Sequence, residues 1–150
     1  MDVWGFVTLA VVGFTACAEF GSYAFVHPVV RRLPAREHIQ VEQGLLRTFG
    51  RVMPVAMTLC VVLSISNALR ATGEAGPAES RWVAAGFLAA ALVSTIVVNV
   101  PINLATGTWD SERPPPNWQQ TRTKWEFFQG VRSWLLLFGF LALCVGFTVG

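Results

Sequence analysis

The sequence predicts an all-α membrane protein, a bundle of four transmembrane helices. Three observations carry that prediction. Of 150 residues, 53% are apolar and 13% charged, against roughly 25% charge in a soluble domain. Mean hydropathy is +0.52. Four runs, Val3–Val26, Val52–Leu69, Trp82–Leu104 and Phe127–Val149, approach or exceed the length needed to cross a bilayer. Glu19 and Arg132 are the only charges inside them. The chain reads as one integral membrane domain over 1–150, with helices at about 3–26, 52–69, 82–104 and 118–149.

Helix one follows Asp2, lacks the basic residues that precede a secretory core, and is expected to be a retained helix. Gly13, Cys17 and Gly21 form a small-residue stripe along it, suited to close helix approach. Thr15, Glu19, Ser22, Tyr23 and His27 form a polar stripe on roughly the opposite side. His27-Pro28 is expected to end the helix, because the residue before proline is pushed out of the helical region.

Loop one, Pro28 to Arg51, contains a short amphipathic helix over 34–49. Ile39, Leu45, Leu46 and Phe49 can face apolar surface, and Arg36, Glu37, Gln40 and Gln43 can face water. The segment is expected to lie in the membrane interface, or to lid a cavity. Helix two starts near Val52 with Pro54 in its first turn, where proline is tolerated, and carries Ser64, Ser66 and Asn67 toward its far end. Gly73, Gly76 and Pro77 mark loop two as a plain connector.

Helix three places Thr95, Asn99 and Asn103 at four-residue spacing. Pro101 cannot donate to the Val97 carbonyl. Amides and a proline at the end of a spanning helix are costly unless something uses them. Loop three holds Trp109 to Arg113 and three prolines, and Asn117 with Gln120 forms a capping-box pattern. Helix four, from Trp118 onward, is long, about 48 Å at 1.5 Å per residue, and its first turns are expected to project into the cytoplasm. Trp118, Arg122, Trp125, Glu126, Gln129, Arg132 and Ser133 share one broad face of it.

Loop one carries five arginines, loop two only Arg70 and Arg81, and loop three Arg113, Arg122 and Lys124. By the positive-inside rule, loops one and three are cytoplasmic and both termini lie outside, in what is expected to be a bacterial inner membrane. In that topology Glu19 lies roughly 10 Å inside the cytoplasmic boundary, and Asn99 and Arg132 about 8 Å inside it. Opposite charges at equal depth in lipid should pair or share a watered pocket. Tyr23, His27, Asn103, Trp125 and Gln129 fall around the same level, more polar lining than a packing clamp needs. The bland alternatives are a structural Glu19–Arg132 pair, and a Trp109/Trp118 interfacial belt.

A net charge of +2 gives no reason to expect nucleic acid. His27 and His38 lie in different elements, no metal-ligand spacing exists, and Cys17, Cys60 and Cys144 read as packing residues.

The run Asn99-Val-Pro-Ile-Asn103, then Trp109, Pro114-Pro115, Asn117-Trp118, Arg122-x-x-Trp125-Glu126 and Arg132 resembles the C-terminal half of the anthrone oxygenase-like family of small four-helix membrane proteins. The first half resembles it by architecture only. One position departs: many bacterial relatives have histidine where this chain has Gln129, and an amide binds and orients but cannot shuttle a proton. The resemblance implies oxidation of a polyketide anthrone by dioxygen, as a step of secondary metabolism, with no metal or flavin cofactor. That chemistry needs a base, an oxyanion stabiliser and an apolar chamber, and the polar residues gathered above offer them: Glu19 as candidate base, Arg132 with Asn99 as oxyanion holders, and Trp125 and Tyr23 as ring contacts, with His27, Asn103, Gln129 and Trp118 as further candidate substrate contacts. The expected partners are a hydrophobic small-molecule substrate, dioxygen and the lipid bilayer. A homo-oligomer is open through the Gly13/Cys17/Gly21 and Gly146/Gly150 stripes. The alternatives are a non-oxidative cyclase or isomerase, and a small-molecule carrier or binding protein.

Overall fold

A computed structural model describes residues 2–71 and 77–148. Gly73, Gly76, Val149 and Gly150, named above, lie outside them. Helix α1 spans Val3–Gly21, and Asp2 caps it by accepting the Gly5 N–H at 2.8 Å. A π-helical turn, Ser22–Val26, leads into α2, His27–Val30. The chain reverses through 31–34 into α3, Ala35–Arg70. Helix α4, Pro77–Ser94, continues through a second π turn, Thr95–Asn99, into α5, Val100–Gly107. Helix α6 spans Trp118–Thr148. The four resulting rods are each long and apolar enough to cross a membrane, and the described residues contain no strand.

The rods close a ring in which α1 packs on α3 and α6, and α4 on α3 and α6. The centre is filled by Val12, Ala16, Met57, Cys60, Leu88, Leu136 and Leu143. Close approach is paid for with glycine at two seams: a Cβ at Gly13 would lie 2.9 Å from the Phe140 ring, and one at Gly139 would lie 2.9 Å from Leu88. The outward faces are apolar; Phe14 is 69% and Leu104 71% exposed. One end is tied by Arg70 to Asp2 at 3.0 Å and by Asn67 to Thr8 at 2.5 Å.

Three expectations change. Helix one does not stop at His27-Pro28. Proline strips the bond to the carbonyl four residues back, and the π turn compensates: the His27 N–H reaches the Ser22 carbonyl and the helix continues to Val30. The same solution precedes Pro101, where the Val100 N–H reaches Thr95. Second, the amphipathic segment of loop one is helical but not separate. It is the first half of the 36-residue α3, with Pro54 inside the helix, and so it stands along the bundle instead of lying flat. The face expected to meet water instead straps loop three. Gln43 donates to the Thr106 and Trp109 carbonyls at 3.1 and 2.9 Å, and Arg36 pairs with Glu112 at 2.9 Å. Third, the stripe on helix one packs only through Gly13; Cys17 is exposed and Gly21 has open space beside it.

Candidate functional site

Glu19 is fully buried on α1, and α6 supplies its partners. Gln129 and Arg132 are three residues apart, so both reach one point from a single helix face. Gln129 Nε2 donates to Glu19 Oε2 at 2.9 Å; Arg132 Nε and Nη2 each lie 3.0 Å from the same oxygen. Ser133 Oγ donates to the Gln129 carbonyl at 2.7 Å and lies 3.2 Å from the Glu19 carbonyl. All three side-chain donors converge on Oε2, while Oε1 is buried with no partner. A carboxylate held in this way is fixed in orientation and keeps one oxygen for another ligand. Gly130, inside the same turn, lets α6 approach α1: a Cβ there would lie 2.8 Å from the Tyr23 ring.

A second charge centre stands beside the first. Glu42 Oε1 lies 2.6 Å from Arg122 Nη2, 3.5 Å from His27 Nδ1 and 3.7 Å from His38 Nε2, all four residues being buried. Trp125 joins the centres. The Arg122 guanidinium lies over its ring at 4.3 Å, Arg132 at 5.7 Å, and the His27 ring at 4.8 Å. On the same helix, the largely buried Glu126 pairs with the exposed Arg31 at 2.6 Å.

Both centres open on one cavity of about 450 Å³. Its polar wall includes Glu19, Gln129, Arg132, His27, Glu42 and Asn103; its apolar wall comes from α3 (Leu45, Leu46, Phe49, Met53, Pro54) and α5 (Val100, Leu104). An apolar chamber with a few convergent polar groups is the usual form of a small-molecule site.

The residues expected from the sequence divide into two groups. Glu19, Arg132, Gln129, His27, Asn103 and Trp125 line the cavity. Asn103 Oδ1, Gln129 Oε1 and Trp125 Nε1 have no partner and remain available. Trp125 presents little open ring, because two guanidinium groups and an imidazole crowd it. Asn99 lies behind the wall and donates from Nδ2 to the Trp125 carbonyl at 3.2 Å, so it holds α6 in place without touching Arg132. Tyr23 packs on Gly130 and on Phe20, away from the cavity lining. Trp118 packs edge-on against His38, 5.2 Å between centroids. The two histidines, expected apart, converge on Glu42. Glu42 itself escaped the sequence reading. Its signal is the stripe Glu42, Leu46, Phe49, Met53, which becomes visible only once α3 is read through Pro54 as one helix. Among the described residues no group of His, Cys, Asp or Glu has the arrangement to hold a metal ion.

The family model described as anthrone oxygenase matches residues 45–142. The chain belongs to the anthrone oxygenase family. The match runs from the apolar wall of α3 to near the end of α6, so it includes Asn99, Trp125, Gln129 and Arg132 and leaves out Glu19, His27 and Glu42. No curated protein and no solved structure matches this family member.

Proposed function

We propose that this anthrone oxygenase family member is a membrane-embedded tailoring enzyme that oxygenates a flat, hydrophobic, polyketide-type aromatic ketone by acid–base chemistry. The observation that carries the reading is the Glu19 carboxylate, clamped at Oε2 and free at Oε1 on the wall of a mostly apolar cavity. A CH₂ between two aromatic rings and conjugated with a ketone is acidic enough for a positioned carboxylate. Glu19 Oε1 takes the proton; the C–H electron pair becomes an enolate. Arg132, which meets Glu19 through Nε and Nη2, and Trp125, whose indole N–H has no partner, hold the developing oxyanion in this reading. The electron-rich enolate reduces dioxygen and forms a carbon-bound hydroperoxide, and loss of water leaves the second carbonyl. The apolar wall binds the rings and excludes water.

The arginine-rich loops support a topology with the cavity end on the cytoplasmic side of the membrane and both termini outside. A substrate of this polarity would dissolve in the bilayer and reach the cavity past the exposed Leu104.

The test is substrate-dependent oxygen uptake by the purified, reconstituted protein with 1,8-dihydroxyanthrone. Wild type should consume oxygen and form the quinone, and Glu19→Gln should lose about a hundred- to ten-thousand-fold in rate. Turnover at the wild-type rate in both Glu19→Gln and Arg132→Lys would refute the assignment. A non-oxidative isomerase or cyclase would convert its substrate without oxygen uptake.

A further inference from the structure

We infer that His27, oriented by Glu42, is the acid of this reaction, and that the cavity separates a carbon-side base from an oxygen-side acid. The inference rests on the oxygenase reading above and assigns the charge centre that the reading leaves unused.

The stoichiometry sets the requirement. Converting the CH₂ to a carbonyl with one dioxygen releases one water, and both hydrogens of that water come from the carbon. Each is removed as a proton by a base and returned to oxygen by an acid. The first return converts the peroxide anion to the hydroperoxide. In the second, the base takes the remaining C–H proton, its electron pair forms the C=O π bond, the O–O bond breaks, and the departing hydroxide takes a proton to become water. Glu19, already holding a carbon-derived proton, cannot serve as base again until that proton moves on. A second titratable group on the same cavity closes the cycle.

His27 meets that requirement. It is buried and lines the cavity with Glu19. Its Nδ1 lies 3.5 Å from Glu42 Oε1, and with Nδ1 turned to the carboxylate Nε2 is the ring nitrogen left for the cavity. The charged groups around it come from three directions. Glu42 and His38 face it from α3, Arg122 from α6 through the shared Glu42 oxygen, and Arg132 stands with Glu19 beyond the Trp125 ring. Glu42 is thus shared: the carboxylate oxygen that faces the His27 ring is also held by Arg122 at 2.6 Å, and the Trp125 ring packs on the imidazole at 4.8 Å between centroids. Gln129, which stands on the Glu19 side, cannot move a proton, which leaves His27 as the imidazole on the cavity wall. Glu42 acts through His27 and is a positioning residue.

The experiment follows oxygen and products separately, by rapid quench with 1,8-dihydroxyanthrone and the reconstituted full chain. In His27→Ala the ratio of quinone released to oxygen consumed should fall at least about tenfold, and a hydroperoxide should accumulate. Added imidazole should restore quinone release. His27→Gln, which keeps a polar side chain of similar size, should accumulate the same hydroperoxide and guards against a folding defect in the alanine variant. Glu42→Gln should shift the hydroperoxide-to-quinone ratio in the same direction, by less, with no response to imidazole. Parallel loss of oxygen uptake and quinone in both His27 variants, with no hydroperoxide and no imidazole rescue, would overturn the inference, as would wild-type product ratios in both. A wild type that consumes no oxygen with this substrate overturns the oxygenase reading and this assignment with it.

Discussion

Gly130→Ala tests how the site is assembled, independently of its chemistry. A Cβ at Gly130 would lie 2.8 Å from Tyr23 Cε2, 3.0 Å from Cζ and 3.1 Å from the hydroxyl, where ordinary contact begins at 3.4 Å. The shortfall is about 0.6 Å against a rigid ring edge that is itself packed edge-on to Phe20. Tyr23 lies in the π turn that leads to His27, and Gly130 lies between Gln129 and Arg132. The added methyl therefore pushes α1 from α6 at the seam where Glu19 meets its donors. Overpacking of this kind costs about 1–3 kcal/mol. The assay is reversible unfolding in mixed micelles, run as a double-mutant cycle with Tyr23→Ala. That variant removes the obstructing ring, so the alanine at position 130 should cost little on the Tyr23→Ala background, and a coupling of about 1 kcal/mol or more should appear. Additive effects, or a Gly130→Ala protein as stable as wild type, would refute the seam.

Further outcomes follow from the same geometry. Arg132→Met leaves the buried Glu19 carboxylate without its charge partner, held by Gln129 alone, and should destabilise the bundle by about 3–5 kcal/mol, whereas Glu19→Gln/Arg132→Met, which removes both charges, should unfold closer to wild type in the same mixed-micelle titration. Asn99→Ala loses one buried bond to the Trp125 carbonyl and should cost about 1 kcal/mol, with a much smaller loss of oxygen uptake than Glu19→Gln, because Asn99 lies behind the cavity wall. The Gly5 N–H that Asp2 accepts, helped by Arg70, holds the Asp2 carboxyl below its ordinary value. The cap's contribution is therefore complete above that ordinary value and is lost as pH falls through the lowered one; amide exchange at Gly5 should accelerate there, and Asp2→Ala should abolish the acid response.

The sequence made Glu19 and Arg132 legible because a charge inside an apolar run has few places to go. Opposite signs at one depth on neighbouring helices reduce those places to each other. The four spans were legible for a similar reason, since apolar length is a direct demand of the bilayer. The π turns were not. Pro28 and Pro101 are each preceded by one, but Pro54 lies within an ordinary helix, so proline alone does not distinguish the cases. Treating Pro54 as the start of a helix split α3, and the split hid Glu42, whose place on the cavity stripe depends on helical phase carried across residues 42–53. Asn99 was expected to assist Arg132, and in the structure its amide donates to the Trp125 carbonyl. Rise per residue gives a level along a helix, whereas the partner depends on rotation about it, and Asn99 closes a π turn whose rotation the residue spacing does not carry.

The central claim is that Glu19 removes a carbon-bound proton from a ketone held in this cavity. Hydrogen exchange under strict exclusion of oxygen tests it without any later step. The reconstituted wild type should catalyse deuterium incorporation at the CH₂ of 1,8-dihydroxyanthrone well above the buffer rate, and Glu19→Gln, shown folded by its unfolding titration, should fall back to the buffer rate. Exchange in Glu19→Gln at the wild-type rate, or none above buffer in wild type, would contradict the account.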